Sequence, residues 1–303
     1  MIFTLDCQPA ELRGAPESPT SWELSARAID GFATGVLRAG YEVTLFVTPR
    51  CAAQQLPLFI DLAESGAELG LLVLPQSIND RYKHHLGRYR PDEQRQLIER
   101  SLRSFVDILG QRPQSVRSAM FSASDVTFPI LAELGFRQGS LSCPGRAIPR
   151  HSAVWTGAEP TAHYVSPTSR LSVGGLPFLE IPVTTDATQV RGGIVADLAV
   201  ENGSVEAWHR PLIASQLERD ASQLPPFATL CFYSRNRFDY HHTREHPGAT
   251  LERLTDYLDS LGDRFEIVPV TLAEAHARYR ARERIAQNGH QPGLGSPNTL
   301  PAR

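Results

Sequence analysis

The stretch Gly66–Asp80, GAELGLLVLPQSIND, decides the predicted fold. Gly66 ends a preceding helical pattern, and Leu69–Leu74 then form a near-continuous apolar run, which is typical of a parallel strand covered on both faces. Pro75 ends that strand, because proline has no amide hydrogen for a sheet ladder. In an α/β barrel the loop after such a strand lies at the catalytic mouth. The side chains delivered there are poor metal ligands, bases and nucleophiles: Leu72, Leu74 and Gln76.

Short apolar runs and helical patterns alternate on both sides of this stretch. Further strands are predicted at Ile2–Asp6, Val43–Val47, Ser115–Ala119, Phe136–Leu141, Phe178–Val183, Ala228–Tyr233 and Phe265–Val268. Helices are predicted at Ser21–Ala39, Ala52–Ser65, Pro91–Leu109, Asp125–Leu134, Pro211–Gln223, Thr250–Leu261 and Leu272–Ala286. About seven or eight such units predict a parallel sheet closed into one α/β barrel, with the helices outside.

Three segments fall outside this alternation. Ser142–Gly175 is rich in Pro, Ser and Gly and is predicted to be an extended loop over one barrel face, and Gly192–Trp208 an irregular or two-stranded insertion. Asn288–Arg303 has few apolar residues and is predicted to be a disordered tail, so the barrel is assigned to residues 1–287. The sequence has no GxGxxG after a strand and no GxxxxGK[ST], which disfavours a nucleotide-binding sheet.

Composition narrows the class of protein. The chain has 303 residues, is 41% hydrophobic and carries a net charge of −3, so there is no global electrostatic reason to expect nucleic acid or an anionic membrane as partner. No apolar run approaches the roughly 20 residues of a membrane span, and the N-terminus lacks the basic region of a signal peptide. The cysteines are widely spaced, without a CxxC pair: Cys7, Cys51, Cys143 and Cys231. A reduced, cytoplasmic protein is therefore expected.

The order of several motifs resembles the NodB-type polysaccharide deacetylases (carbohydrate esterase family 4). The motifs are TLDCQP at 4–9, GVLRAGYEVTLFVTP at 35–49, GAELGLLVLPQS at 66–77, GQRPQSVRSAMFSASDVTFPILAELGF at 110–136, LPFLEIPVT at 176–184 and LCFYSRNRFDY at 230–240. The resemblance covers roughly Ile2–Tyr279. It implies a distorted (β/α)7 barrel and metal-assisted amide hydrolysis, in which a divalent ion polarises an acetamide carbonyl and activates water.

The resemblance also assigns site residues. Asp6 matches the catalytic base and Arg117 the arginine that orients it, whereas Tyr233 stands in place of the late histidine that acts as acid. The positions that hold the metal in the family carry other residues here. Cys7 replaces the second aspartate, Leu72 and Gln76 replace two histidines, and Leu74 replaces a further histidine of some relatives. Because leucine has no lone pair to donate and one thiolate does not make a site, no metal and no other cofactor is expected.

Less specific interpretations stay open for several of these residues. Asp6 and Arg117 could form only a structural ion pair, and Cys7 could be a small buried hydrophobe rather than a nucleophile. Gln76, Asp125, His84 and His85 are candidate ligand-binding residues near the mouth. The basic stretch Arg81–Arg90 is either solvated or in contact with an anionic sugar or phosphate. Should a metal bind nonetheless, loop histidines are the candidates: His84, His85, His241 and His242.

Three functions compete at this point. The first is a pseudoenzyme of the deacetylase fold that binds a saccharide or related small molecule without cleaving it. The second is a metal-independent hydrolase of amides or cyclic amides, as the resemblance to allantoinase-like members suggests, with Asp6 as base and Arg117 or Tyr233 stabilising the oxyanion. The third is a structural or partner-binding barrel. The first is favoured, because a missing metal removes several kcal/mol of transition-state stabilisation that no other residue visibly replaces.

Overall fold

The computed structural model describes residues 1–10, 12, 17–191, 194–220, 228–242, 244 and 246–288. The strands are β1 (Ile2–Cys7), β2 (Val43–Val47), β3 (Glu68–Val73), β4 (Ser115–Ser118), β5 (Gln138–Gly139), β6 (Ala147–Ile148), β7 (Ala153–Val154), β8 (His163–Tyr164), β9 (Leu179–Glu180), β10 (Thr185–Arg191), β11 (Ile194–Asp197) and β12 (Cys231–Arg235). The helices are α1 (Trp22–Arg38), α2 (Pro49–Gln54), α3 (Leu56–Glu64), α4 (Pro91–Leu109), α5 (Thr127–Glu133), α6 (Arg210–Asp220), α7 (Gly248–Ser260) and α8 (Leu272–Asn288).

One curled sheet organises the molecule. Eight strands follow the order β12-β1-β2-β3-β4-β5-β9-β8, and each adjacent pair is parallel except β8 with β9. The free side of β12 is hydrogen-bonded to the backbone that follows β9 and β11. Thr184 N donates to Cys231 O at 3.2 Å, and Tyr233 N donates to Leu198 O at 3.1 Å. The sheet therefore curls into a distorted α/β barrel, as predicted.

The central strands are buried on both faces, because helices cover the outside and side chains fill the inside. All residues of β1 and β2 are buried, and only Glu68 of β3 is not fully so. Two helices are followed by a glycine with positive φ: Gly66 (φ 104°) follows α3, and Gly110 (φ 68°) follows α4. The apolar run and its glycine boundary were thus sufficient to place β3. Within the described ranges, no helix is long and apolar enough to cross a membrane.

The predicted strand Phe265–Val268 is wrong. This segment is irregular, although Met1 N donates to Val268 O at 2.7 Å and Val270 N donates to Met1 O at 3.0 Å. Both sides of β1 are already occupied, by β2 and β12, so the segment is hydrogen-bonded to Met1, the residue that precedes the strand. An apolar run cannot pair with a strand whose two sides are both occupied.

Two further predictions need correction. The helix predicted at Ala52–Ser65 is two helices, since the backbone leaves the helical region at Gln55 (φ −127°, ψ 33°) before α3 begins. The loop predicted at Ser142–Gly175 contains the hairpin of β6 and β7 and also β8, which pairs with β9 in the main sheet. The two-stranded insertion is β10 with β11 and begins earlier, at Thr185. The predicted tail lies outside the described residues from 289 onward.

Candidate functional site

An ion pair between β1 and β4 occupies the centre of the barrel mouth. Arg117 Nη1 donates to Asp6 Oδ1 at 2.9 Å, and the two side chains are 0% and 4% exposed. Both residues lie near the C-terminal ends of their strands, which is where the resemblance placed a base and its orienting arginine. The expected contact between them is therefore present.

The Arg117 guanidinium is held on several sides by the protein itself. Nη1 also donates to Thr4 Oγ1 at 2.9 Å, while Nε and Nη2 donate to the carbonyl and the hydroxyl of Ser140, each at 2.8 Å. Phe46 and Phe121 flank the group, with their ring centroids 4.4 and 5.3 Å from Cζ. Such a fixed fork gives its carboxylate partner one orientation.

Burial dominates the electrostatics of Asp6. Loss of water raises the pKa of this carboxyl above its ordinary value, and the charge and hydrogen bond of Arg117 oppose that rise. Arg235, which pairs with Asp6 in the β1–β12 register, adds a second positive charge. The result is a desolvated carboxyl group with cations on more than one side.

A second buried cluster joins the loop 142–175 to β11 and β12. Arg146 Nη2 donates to Asp197 Oδ2 at 2.5 Å and to the Tyr233 hydroxyl at 3.0 Å, and that hydroxyl lies 3.1 Å from the same carboxylate oxygen. Asp197 is 1% exposed and Tyr233 4%. Burial, followed by the negative charge of Asp197, raises the pKa of the tyrosine above its ordinary value. Tyr233 therefore stays protonated and acts as a fixed hydrogen-bond donor.

A third group lies where three loops meet. Gln76 Nε2 is 3.4 Å from His85 Nδ1, and the rings of His85 and His151 pack edge to face with centroids 4.7 Å apart. Burial and the neighbouring imidazoles of His151 and His84 lower the pKa of His85 to about 4. Buried Gln76 Oε1, His151 Nδ1 and Arg146 Nε find no hydrogen-bond partner among the described residues. We call Gln76, His85, His151 and Arg146 the mouth polar group.

Chains of known structure share this architecture at low sequence identity. A candidate polysaccharide deacetylase from Mycobacterium smegmatis aligns with a TM-score of 0.62 and 14% identity over 99% of this chain and 94% of that chain. The allantoinase PuuE aligns at 0.61 and 14% over 92% and 90%. A candidate polysaccharide deacetylase from Pseudomonas aeruginosa PAO1 aligns at 0.58 and 18% over 93% and 91%. No protein-family model and no curated protein matches the sequence.

The chain has the fold of the NodB-type polysaccharide deacetylases. The distorted (β/α)7 barrel that the motifs implied is thereby confirmed. At 14–18% identity, the similarity to these structures concerns the fold alone. The function has to be argued from the residues at the mouth.

The metal positions of the NodB-type site do not fit a metal in this chain. Leu72 and Leu74 are 0% and 2% exposed and pack in the hydrophobic core. Alternation along β1 places Cys7 on the face of Leu5, away from Asp6 and Arg117, and burial raises its pKa well above the ordinary value. A buried thiol with a raised pKa is a poor metal ligand and a poor nucleophile. Among the described residues, no group of three or more His, Cys, Asp or Glu could hold a metal ion.

The other candidate residues do not all gather at the mouth. Asp125 binds Arg170 at 2.8 Å on the surface, and its side chain is 54% exposed. His84 is exposed, and its backbone amide donates to the Tyr89 hydroxyl at 3.1 Å. His241 pairs instead with Asp30 at 3.0 Å, and His242 is exposed. Of the four predicted ligand-binding residues, the structure unites Gln76 with His85.

Sequence reasoning missed Arg146, Asp197 and His151. Arg146 and Asp197 are 51 positions apart, and Arg146 and Tyr233 are 87 apart, so no local pattern links them. The only available signal was the charged side chains within a Pro- and Gly-rich loop predicted to cover the barrel. The sulfur of Cys231 also lies close to the central pair, 3.8 Å from Ser140 Oγ.

Proposed function

We propose that this chain is a non-hydrolytic protein of the deacetylase fold, which binds a saccharide or related N-acylated ligand at the barrel mouth. The observation that carries the proposal is that buried leucines, Leu72 and Leu74, stand at the metal positions beside the retained pair of Asp6 and Arg117. The carboxylate that would serve as base is engaged by a guanidinium, itself bonded to Thr4 and Ser140. This pair holds the carboxylate in one orientation at the mouth, as a binding group or a base requires.

The side chains at the metal positions support the same conclusion. A divalent ion lowers the pKa of bound water to about 7, and this chemistry requires several donor atoms around one point. Leu72 and Leu74 offer none, and both are packed in the core. Deacetylation by the metal route therefore lacks its nucleophile at neutral pH.

The mouth polar group supports ligand binding. A buried polar atom without a partner costs about 1–3 kcal/mol, and such a cost is removed when a ligand supplies the bond. Gln76 Oε1 needs a donor and Arg146 Nε–H needs an acceptor. An acylamino group carries both, an N–H and a carbonyl oxygen. This match is the reason for proposing an N-acylated ligand over a plain hydrocarbon or a cation.

Isothermal titration with a tetramer of N-acetylglucosamine tests the proposal, with the glucosamine tetramer as the unacylated control. We expect binding of the acetylated probe, no acetate release with or without added Zn²⁺, and at least about tenfold weaker binding after Gln76→Leu. Gln54→Leu, which alters an exposed glutamine of α2, is the matched control and should bind as the unaltered chain does. Acetate release that requires Zn²⁺, or absence of saturable binding, would overturn the proposal.

One observation favours a second candidate, metal-independent hydrolysis of a cyclic amide. Burial raises the pKa of Asp6, and a base works best when its pKa is near the operating pH. Substrate would have to reach a side chain that is 4% exposed, so residues around the mouth would have to move. Ring opening of allantoin that is lost in Asp6→Asn but kept in Cys7→Ser would establish this function and displace the first.

A further inference from the structure

A cleft of about 550 Å³ opens at the end of the barrel opposite the mouth. Arg137 directly precedes β5, Pro177 closely precedes β9, and Tyr164 ends the antiparallel strand β8, so all three lie at the edge where the parallel strands begin. Asp6 lies at the other edge, near the end of β1. His276 and Arg280 of α8 complete the cleft. It is therefore separate from the candidate site described above.

The charges in this cleft have one sign. Arg137 and Arg280 are both exposed, and no acidic residue lines the cleft, as far as the described residues extend. His276 is buried beside them, and burial followed by the charges of Arg280 and Arg137 lowers its pKa. Positive groups that share a concave, partly apolar surface concentrate their potential there and attract anions. Solvated arginines on a convex surface would not produce this effect.

The volume and the apolar wall of the cleft point to a ligand larger than an inorganic ion. The volume lies within the range of about 300–1,000 Å³ that small-molecule sites occupy. Leu176 and Pro177 form an apolar wall, and a side chain placed at Gly175 would meet nothing within 4 Å. The cleft thus combines a cationic part with an apolar part that has open space beside it.

We propose that this cleft binds a phosphate monoester, with the phosphate between Arg137 and Arg280 and the organic part against Leu176 and Pro177. Guanidinium groups match phosphate oxygens with paired hydrogen bonds, and two of them balance a dianion. His276 Nδ1 is 2.9 Å from Gln138 Oε1, which fixes the ring in the wall of the cleft that Arg137 and Arg280 also line. A bound phosphate will therefore change the magnetic environment of this imidazole.

Binding of glucose 6-phosphate, inorganic phosphate and glucose to the full chain tests the proposal, by titration calorimetry and by the NMR signals of the His276 ring. We expect glucose 6-phosphate to bind and shift the His276 signals, inorganic phosphate to bind about tenfold more weakly, and glucose not to bind. Arg137→Gln and Arg280→Gln should each weaken the ester by at least about tenfold. Arg103→Gln, at an exposed arginine of α4, is the matched control and should leave the affinity unchanged.

Filling the open space beside Gly175 distinguishes binding of the organic part of the ligand from binding of its phosphate. Gly175→Val should weaken glucose 6-phosphate more than inorganic phosphate, since it obstructs the organic part alone. Unchanged melting temperatures would show that the variants fold. Three results would each overturn the proposal: no saturable binding of the ester, equal affinity for ester and inorganic phosphate, or an equal loss in Arg103→Gln.

Discussion

Replacing Arg117 by methionine tests whether the pair at the barrel mouth is structural. Methionine keeps the length and apolar character of the side chain but leaves Asp6 buried without its cation and removes the donors to Ser140. Breaking a buried ion pair by removing one partner costs about 3–5 kcal/mol. We therefore expect Arg117→Met to lower the free energy of unfolding by about 3–5 kcal/mol at pH 7.

The expected loss depends on pH with a definite sign. Arg117 opposes the upward shift that burial gives the pKa of Asp6, so removing the arginine raises that pKa further. A carboxyl whose pKa is higher in the folded than in the unfolded state is most favourable below its unfolded pKa of about 3.9 and loses stability as pH rises. The destabilisation by Arg117→Met should therefore be smaller at pH 4 than at pH 7.5.

Urea unfolding followed by tryptophan fluorescence, at both pH values, measures these quantities. The double variant Asp6→Asn with Arg117→Met removes the uncompensated charge and should recover about 1–3 kcal/mol of the loss at pH 7. A loss below about 1 kcal/mol in the single variant, or no recovery in the double variant, would refute the conclusion that this pair stabilises the barrel.

Three further predictions concern groups outside the pair. Burial raises the pKa of Glu180 from 4.5 to about 7, so the folded protein loses stability as the pH rises across that window. Glu180→Gln should therefore raise the free energy of unfolding by about 3 kcal/mol at pH 8.5 and by little at pH 4.5. An unaltered dependence of that free energy on pH in urea unfolding would contradict this. Cys7 should resist iodoacetamide in the folded protein and react after unfolding, as read by mass spectrometry, since it is buried and its pKa is raised; rapid labelling of the folded chain would be inconsistent with its position. Asp125→Ala should change stability by less than about 1 kcal/mol and leave saccharide binding unaltered, because its ion pair with Arg170 is partly exposed; a tenfold loss of binding would restore Asp125 to the site.

The sequence by itself determined the barrel and the identity of its central pair. Continuous apolar runs, as in β3, and glycines such as Gly66 and Gly110 act within a few residues, so they can be read without knowing the fold. The order of motifs then placed Asp6 and Arg117 near the ends of β1 and β4, where the structure joins them at 2.9 Å.

Only the tertiary structure decided what surrounds that pair. Arg146 meets Asp197 and Tyr233 because a covering loop, a hairpin and the last strand converge, and contacts over such separations leave no periodic signal in the chain. Whether a segment becomes a strand also depends on free sheet edges, which β1 does not offer to residues 265–268. Local patterns fix which face of an element is apolar, whereas burial, charge pairing and the unpartnered polar atoms of a site arise when distant elements pack against one another.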